Sequence, residues 1–218
     1  MIDTFFQSFS LDSPGYVFMW ILLLMLAWMF ALAIERYISI YARANVNADR
    51  FMAEIRKYIK AGDYKKAISL CKSAGNRALP KVVQAALEEA EKRELIDYRA
   101  VQNAIDEMTL ELIPELQKRT NLLAMISNVS TLTGLLGTIY GLILSFAAVG
   151  GAGTAGGGDP SQVLAQGISV AMQTTMFGLI VAIPAIVFYT FINTKTSNII
   201  EDIDEHSVKL IHLLTGGR

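Results

Sequence analysis

Residues 121–149 read NLLAMISNVSTLTGLLGTIYGLILSFAAV, without one charged side chain. About 20 apolar residues suffice to cross a bilayer as a helix, and this run is longer. It is not apolar throughout. Ser127, Asn128, Ser130, Thr131, Thr133, Thr138 and Ser145 are polar, and Gly134, Gly137 and Gly141 are bare backbone. At 3.6 residues per turn, Gly134, Thr138, Gly141 and Ser145 share one face. Such a stripe suits close contact with another helix or a wet path, and it does not suit lipid. Spacing alone leaves both open.

Two further uncharged runs flank this one. Residues 16–34 hold Tyr16 and Trp20 near one interface and end at Glu35 and Arg36. Residues 163–193 carry a second small-residue stripe, in which Gly167, Ala171, Thr174, Gly178, Ala182 and Ala185 follow one another by four or three. Thr175 lies beside that line. A threonine hydroxyl can hold a water or coordinate a cation. It can equally bond a carbonyl one turn back in its own helix. Pro184 lacks a backbone donor, frees a carbonyl and is expected to kink the third run.

The rest of the chain is polar. Residues 36–119 hold sixteen of the nineteen Lys and Arg. Apolar residues recur there at helical spacing: Phe51, Ile55, Tyr58 and Ile59, then Ala67, Ile68 and Leu70, then Val82, Val83 and Leu87. Asp63 follows the break at Ala61 and Gly62 and suits a helix N-cap. The periodic segment from Asp97 to Gln117 has no Gly before residue 121. One long helix running into the second span, kinked at Pro114, is therefore expected.

The expected order is a lead at 1–15, a first transmembrane helix at 16–35, a helical region at 36–119 and a second transmembrane helix at 120–149. A Gly-rich loop at 150–162, a third transmembrane helix at 163–194 and an amphipathic tail at 195–218 follow. Residues 1–35 and 150–162 contain no Lys or Arg. That asymmetry puts the amino terminus and the Gly-rich loop outside, and the 36–119 region and the tail inside. A first run with no basic residue before Arg36 and no small-residue cleavage site reads as an anchor, not a cleaved signal.

Composition narrows the function. The chain has 218 residues, 53% hydrophobic, and a net charge of −1, which offers no global field for nucleic acid. The lone Cys71 forms no internal disulfide and is too little for a cysteine metal cluster. Glu88, Glu89, Glu91 and Glu94, interspersed with Lys92 and Arg93, read as a solvated helix face. The glycines at 150–158 lack the Gly-Lys-Ser/Thr of a phosphate-binding loop and read as a connector. No enzyme, metal or cofactor is expected. Between Glu115 and Glu201 the only acidic residue is Asp159, so the spans hold no carboxylate, Lys, Arg or His. A proton relay within the bilayer normally needs such a group. If this chain moves protons, a partner helix must bring the carboxylate. If it moves nothing, the stripes are adhesive and the protein is a membrane scaffold.

The blocks at 134–146 (GLLGTIYGLILSF) and 167–185 (GISVAMQTTMFGLIVAIPA), with Tyr189 beyond, resemble the MotA/TolQ/ExbB proton-channel family. Three spans resemble the ExbB/TolQ branch. The resemblance implies an all-α membrane protein with long cytoplasmic helical extensions, assembled as a homo-oligomeric ring of five. It implies a single-span partner like ExbD or TolR that supplies an intramembrane aspartate, and a TonB- or TolA-like protein beyond it. It also implies a bacterial inner-membrane location, with a periplasmic amino terminus and a cytoplasmic carboxyl terminus.

By motif position Thr138 and Thr175 match the family's pore threonines. Gly134, Gly137, Gly141, Ser145, Gly167, Ala171, Gly178 and Ala182 become pore wall or packing surface. Val170 stands where a glutamate is usual, Thr131 where a proline is usual, and Thr174 where alanine is frequent. H⁺ is the expected ion, and the pair Thr174 and Thr175, which resembles the threonines of sodium-driven stators in the wider family, makes Na⁺ the alternative.

Overall fold

The computed structural model describes residues 9, 15–44, 48–92, 97–152 and 160–216. Among them the chain forms seven helices: α1 (Tyr16–Ala44), α2 (Ala48–Lys60), α3 (Tyr64–Ser73), α4 (Ala78–Glu91), α5 (Tyr98–Gln117), α6 (Thr120–Ala152) and α7 (Pro160–Thr215). By length and composition α1, α6 and α7 each contain a stretch able to cross a membrane. Most of the lead at 1–15 and the centre of the Gly-rich loop, including Asp159, lie outside the described residues.

The chain divides into two compact units, one of residues 1–34 and 119–190, the other of 35–118 and 191–218. The second unit is built as water demands. In α2, Phe51, Ile55 and Ile59 are buried one turn apart. Asp63 caps α3 by accepting from Lys66 N at 3.3 Å, while Gly62 at φ +73° turns the chain between α2 and α3. Ala67, Ile68 and Cys71 are the buried face of α3. Gly75, at φ +74°, turns the chain again. Helix α4 buries Val82, Val83, Ala86 and Leu87, with Pro80 in its first turn, and packs on both α3 and α5. Asp97 caps α5 by accepting from Arg99 N at 2.9 Å. At the other end of α5, the buried Arg36 donates through Nη2 to Leu116 O at 2.5 Å.

Three segment boundaries differ from the sequence expectation. Helices α5 and α6 are not one helix: Lys118 is extended at ψ 132° and Arg119 takes φ +62°. A non-glycine residue in that region costs about 1 kcal/mol, so tertiary structure overrides the local preference. The 150–162 loop is shorter than expected, because α6 continues through 150–152 and α7 begins at Pro160. The tail at 195–218 is a continuation of α7, which runs unbroken past Lys195 to Thr215 and through Pro184. A charge ends an apolar span; it does not break the hydrogen-bond ladder of a helix.

Candidate functional site

In the membrane-type unit, α6 and α7 meet through the two small-residue stripes of the same chain. A Cβ on Gly178 would lie 2.8 Å from Ser130 O and 3.1 Å from Gly134 Cα. On Gly134 it would lie 3.1 Å from Thr174 O and 3.3 Å from the Cα atoms of Gly178 and Thr175. On Gly137 it would meet Thr174 Oγ1 at 2.6 Å, and on Gly141 Ala171 Cβ at 3.2 Å. Gly167 completes the contact, because a Cβ there would overlap the Ser145 side chain. Real Cβ atoms do not approach backbone below 3 Å, so Gly178 in particular is required by space.

Hydroxyls bind the seam along its length. Ser127 Oγ donates to Ala182 O across the two helices at 2.9 Å. Thr175 Oγ1 donates across to Gly134 O at 3.2 Å. Thr174, with no exposed surface, donates to Ala171 O at 2.8 Å in its own helix and lies 3.4 Å from Gly134 O. Ser145 Oγ is bonded to Gly141 O at 2.7 Å. Thr138 is half-buried, and its hydroxyl donates to Leu135 O at 2.6 Å.

The two threonine sites are thus unlike. Thr174 and Thr175 converge on Gly134 O, whereas the Thr138 hydroxyl is held within α6. Thr174 is closed inside the seam, and Thr175 stays half-buried at its edge.

Helix α1 packs on the pair. Ser130 Oγ donates to Met25 Sδ at 3.5 Å, and Phe18 meets the Tyr140 ring at 5.5 Å between centroids. A Cβ on Gly15 would lie 2.9 Å from Val170 Cγ1, so Val170 stands against the start of α1. Thr131 donates to Ser127 O at 3.0 Å. Phe9 packs edge-on against Trp20 and Phe177 and accepts from Trp20 Nε1 at 3.3 Å through its carbonyl.

Sequence analysis named Ser127 and Ser130 as polar but left them off the stripe, and it did not mark Gly15. Ser130 and Ser127 continue the 134–138–141–145 face one and two turns earlier, and that spacing could have found them. Gly15, next to Pro14, reads as turn punctuation, and nothing in its neighbours marks it as a packing residue.

The arrangement presents carbonyl and hydroxyl oxygens in an apolar surround, with no side chain in the spans able to carry a full charge near neutral pH. It can bind water or a cation weakly, or hold two helices together. It cannot by itself take up and release a proton. Among the described residues no group of three His, Cys, Asp or Glu converges as metal ligands.

A model of the MotA/TolQ/ExbB proton channel family matches residues 74–205, which include α5, α6 and the whole seam. An ExbB-like biopolymer transport protein of Helicobacter pylori (ExbB-like 2) is 36% identical over 110 residues, covering 50% of this chain and 69% of that protein. The biopolymer transport protein ExbB of Aquifex aeolicus is 34% identical over 85 residues, 39% of this chain and 55% of its own. The Tol-Pal system protein TolQ of Haemophilus influenzae is 35% identical over 102 residues, 45% of this chain and 43% of its own. The aligned part thus spans about half the length of the last two relatives.

Proposed function

The chain belongs to the MotA/TolQ/ExbB proton channel family, in its ExbB/TolQ branch, and from that premise we propose that it is the ring-forming subunit of an ion-driven motor in the bacterial inner membrane. The observation that carries the reading is a tight, hydroxyl-bearing pair of spans with no charged group of its own. Five copies enclose the span of an ExbD- or TolR-like partner, whose aspartate supplies the titratable site. H⁺ is the transported ion, with Na⁺ as the alternative. Each unit charge moved down the potential makes available about 2.3 kcal/mol per 100 mV. The partner's periplasmic part, with a TonB- or TolA-like protein, passes that work to the cell envelope. The 36–119 region and the end of α7 face the cytoplasm, in keeping with their Lys and Arg.

Within this scheme the ion runs along the half-buried hydroxyls, Thr138 and Thr175. The interior of the seam is too tight for it. Thr174 holds the geometry of Gly134 O, its hydroxyl being already committed to Ala171 O. Thr174 has no exposed surface, and that weakens the case for a Na⁺ site of two threonines, because a dehydrated Na⁺ must reach several oxygens at once.

The test is ion flux in vesicles containing this chain and its single-span partner, with Na⁺ and pH varied independently. Flux is expected to follow pH, to ignore Na⁺ at fixed pH, and to vanish when the partner aspartate becomes asparagine. Thr175→Val should assemble normally and conduct several-fold less. Full flux in that variant would assign its hydroxyl to packing. A second reading, a non-conducting scaffold, is favoured by the hydroxyls of Thr138 and Thr174 being bonded within their own helices. It predicts an assembled complex whose activated form carries no ion.

A further inference from the structure

Away from the seam, in the polar unit, α2 and the end of α7 border an open cavity of about 420 Å³. Asp49, Met52, Arg56, Lys57 and Lys60 line it from α2, and His206 and Lys209 from α7. The spacing explains the cluster. Asp49, Ala53, Arg56 and Lys60 follow one another by four or three on α2, and His206 and Lys209 stand three apart on α7. Four full positive charges thus face one space, opposed by the single lining carboxylate Asp49. Glu205, on the neighbouring position of α7, is ion-paired with Lys209.

The floor is unlike the rim. His206 is 4% exposed, and its Nε2 lies 3.6 Å from Asp49 Oδ1. Its Nδ1 is buried with no hydrogen-bond partner among the described residues. Arg56 adds a planar donor fork, which matches phosphate oxygens in pairs.

From this arrangement we infer that the cavity between α2 and α7 is a binding site for a multivalent, phosphate-bearing anion. A single carboxylate would leave most of the positive charge unmet, and the volume exceeds what one inorganic phosphate fills. A diphosphate group matches both. It can come from a soluble phosphorylated metabolite or from an anionic lipid headgroup. The site is distinct from the ion route and does not depend on the motor reading.

The experiment is titration calorimetry of inorganic pyrophosphate into the full chain in phosphatidylcholine nanodiscs, repeated in nanodiscs containing phosphatidylglycerol. Wild type is expected to bind in neutral nanodiscs. Lys60→Gln should weaken binding about threefold, as for one exposed charge, and Arg56→Gln/Lys60→Gln/Lys209→Gln together about thirtyfold. Lys65→Gln, an exposed lysine on α3 outside the cavity, should change it less than twofold. These rim residues are solvent-facing, so the variants are expected to keep the wild-type helical content and elution volume. Weaker pyrophosphate binding in the anionic nanodiscs, restored by salt, identifies a headgroup competing for the site; equal binding identifies a soluble ligand. Absence of pyrophosphate binding in neutral nanodiscs overturns the inference. So does an equal loss for Lys65→Gln and Lys60→Gln, which would make the effect one of overall charge.

Discussion

The glycines of the two units serve opposite ends. In the polar unit Gly62 and Gly75 sit at positive φ between helices, and no described atom lies within 4 Å of where their Cβ would be. They are present for conformation. In the membrane-type unit Gly134, Gly137, Gly141 and Gly178 are mid-helix, where glycine is unfavourable, and each has another helix against it. They are present for room. The helix contacts differ in the same sense, although the membrane-type unit also buries Leu22, Leu123 and Ile126 beside the seam. The polar unit closes over Ile55, Leu87, Leu112, Leu116 and Leu210, while the seam closes over glycine, alanine and hydroxyls. In water, large aliphatic side chains supply the driving force for association. In lipid they gain nothing by leaving one apolar surround for another, so close backbone approach and hydrogen bonds must do it. Accordingly Leu24, Leu132, Ile143, Phe146 and Met172 point outward from the membrane-type unit.

The sharpest way to break this comparison is Gly178→Leu. Its Cβ alone would be driven against Ser130 O and Gly134 Cα, both backbone, which cannot rotate aside. A loss of about 3 kcal/mol or more is expected, at the top of the range for overpacking. Little folded protein should survive extraction in mild detergent, and its midpoint in an SDS titration should collapse. A near-normal midpoint would mean that α6 and α7 do not pack through this face.

The opposite change probes the other unit. Leu87 has no exposed surface, and Leu87→Ala should leave a cavity costing about 2–5 kcal/mol. Thermal unfolding followed by circular dichroism should show the polar helices melting first. An unchanged melt would indicate that the polar unit depends less on aliphatic burial than its composition implies.

Much of this was legible beforehand. A period of 3.6 marks a face, so the stripes of α6 and α7 could be drawn from Gly134, Gly141, Gly167 and Gly178. Asp63, after Gly62 and before the next periodic segment, announced its cap. Spacing does not say which face meets which. That the two stripes close on each other within one chain, hiding Thr174 and leaving Thr175 at the edge, required the fold. The bend at Lys118 and Arg119 was invisible because no glycine marks it, and the left-handed residue is an arginine. The continuity of α7 past Lys195 was hidden for the converse reason: composition changes there, but backbone geometry does not. The cavity between α2 and α7 was equally illegible, since Arg56 and Lys209 lie far apart in sequence.

The smallest expected effect lies at the Asp63 cap, and it separates local from tertiary stabilisation. Its carboxylate accepts from Lys66 N at 3.3 Å and pairs with Lys66 Nζ. The hydrogen bond with Lys66 holds the Asp63 carboxyl below its usual range, and the same contact holds the Lys66 ammonium above its own. A depressed carboxyl stabilises the fold above its unfolded value, about 3.9, and loses that contribution as pH falls through the lower folded one. A raised ammonium contributes below about 10.4 and loses its share as pH rises through the higher folded value. The pair therefore supports α3 across the neutral range and fails at both ends. Both groups face solvent, so salt screens the charge term. Asp63→Asn keeps a competent cap and removes the charge. It should lower the melting temperature of the polar unit slightly at pH 7 and flatten its dependence on pH below about 4. Asp63→Ala removes cap and charge together and should lower the midpoint further. If Asn and Ala variants melt alike, the backbone bond from Lys66 N contributes nothing and the pairing with Lys66 is the whole effect. If the Asn variant keeps the wild-type acid dependence, the titration belongs to another carboxylate.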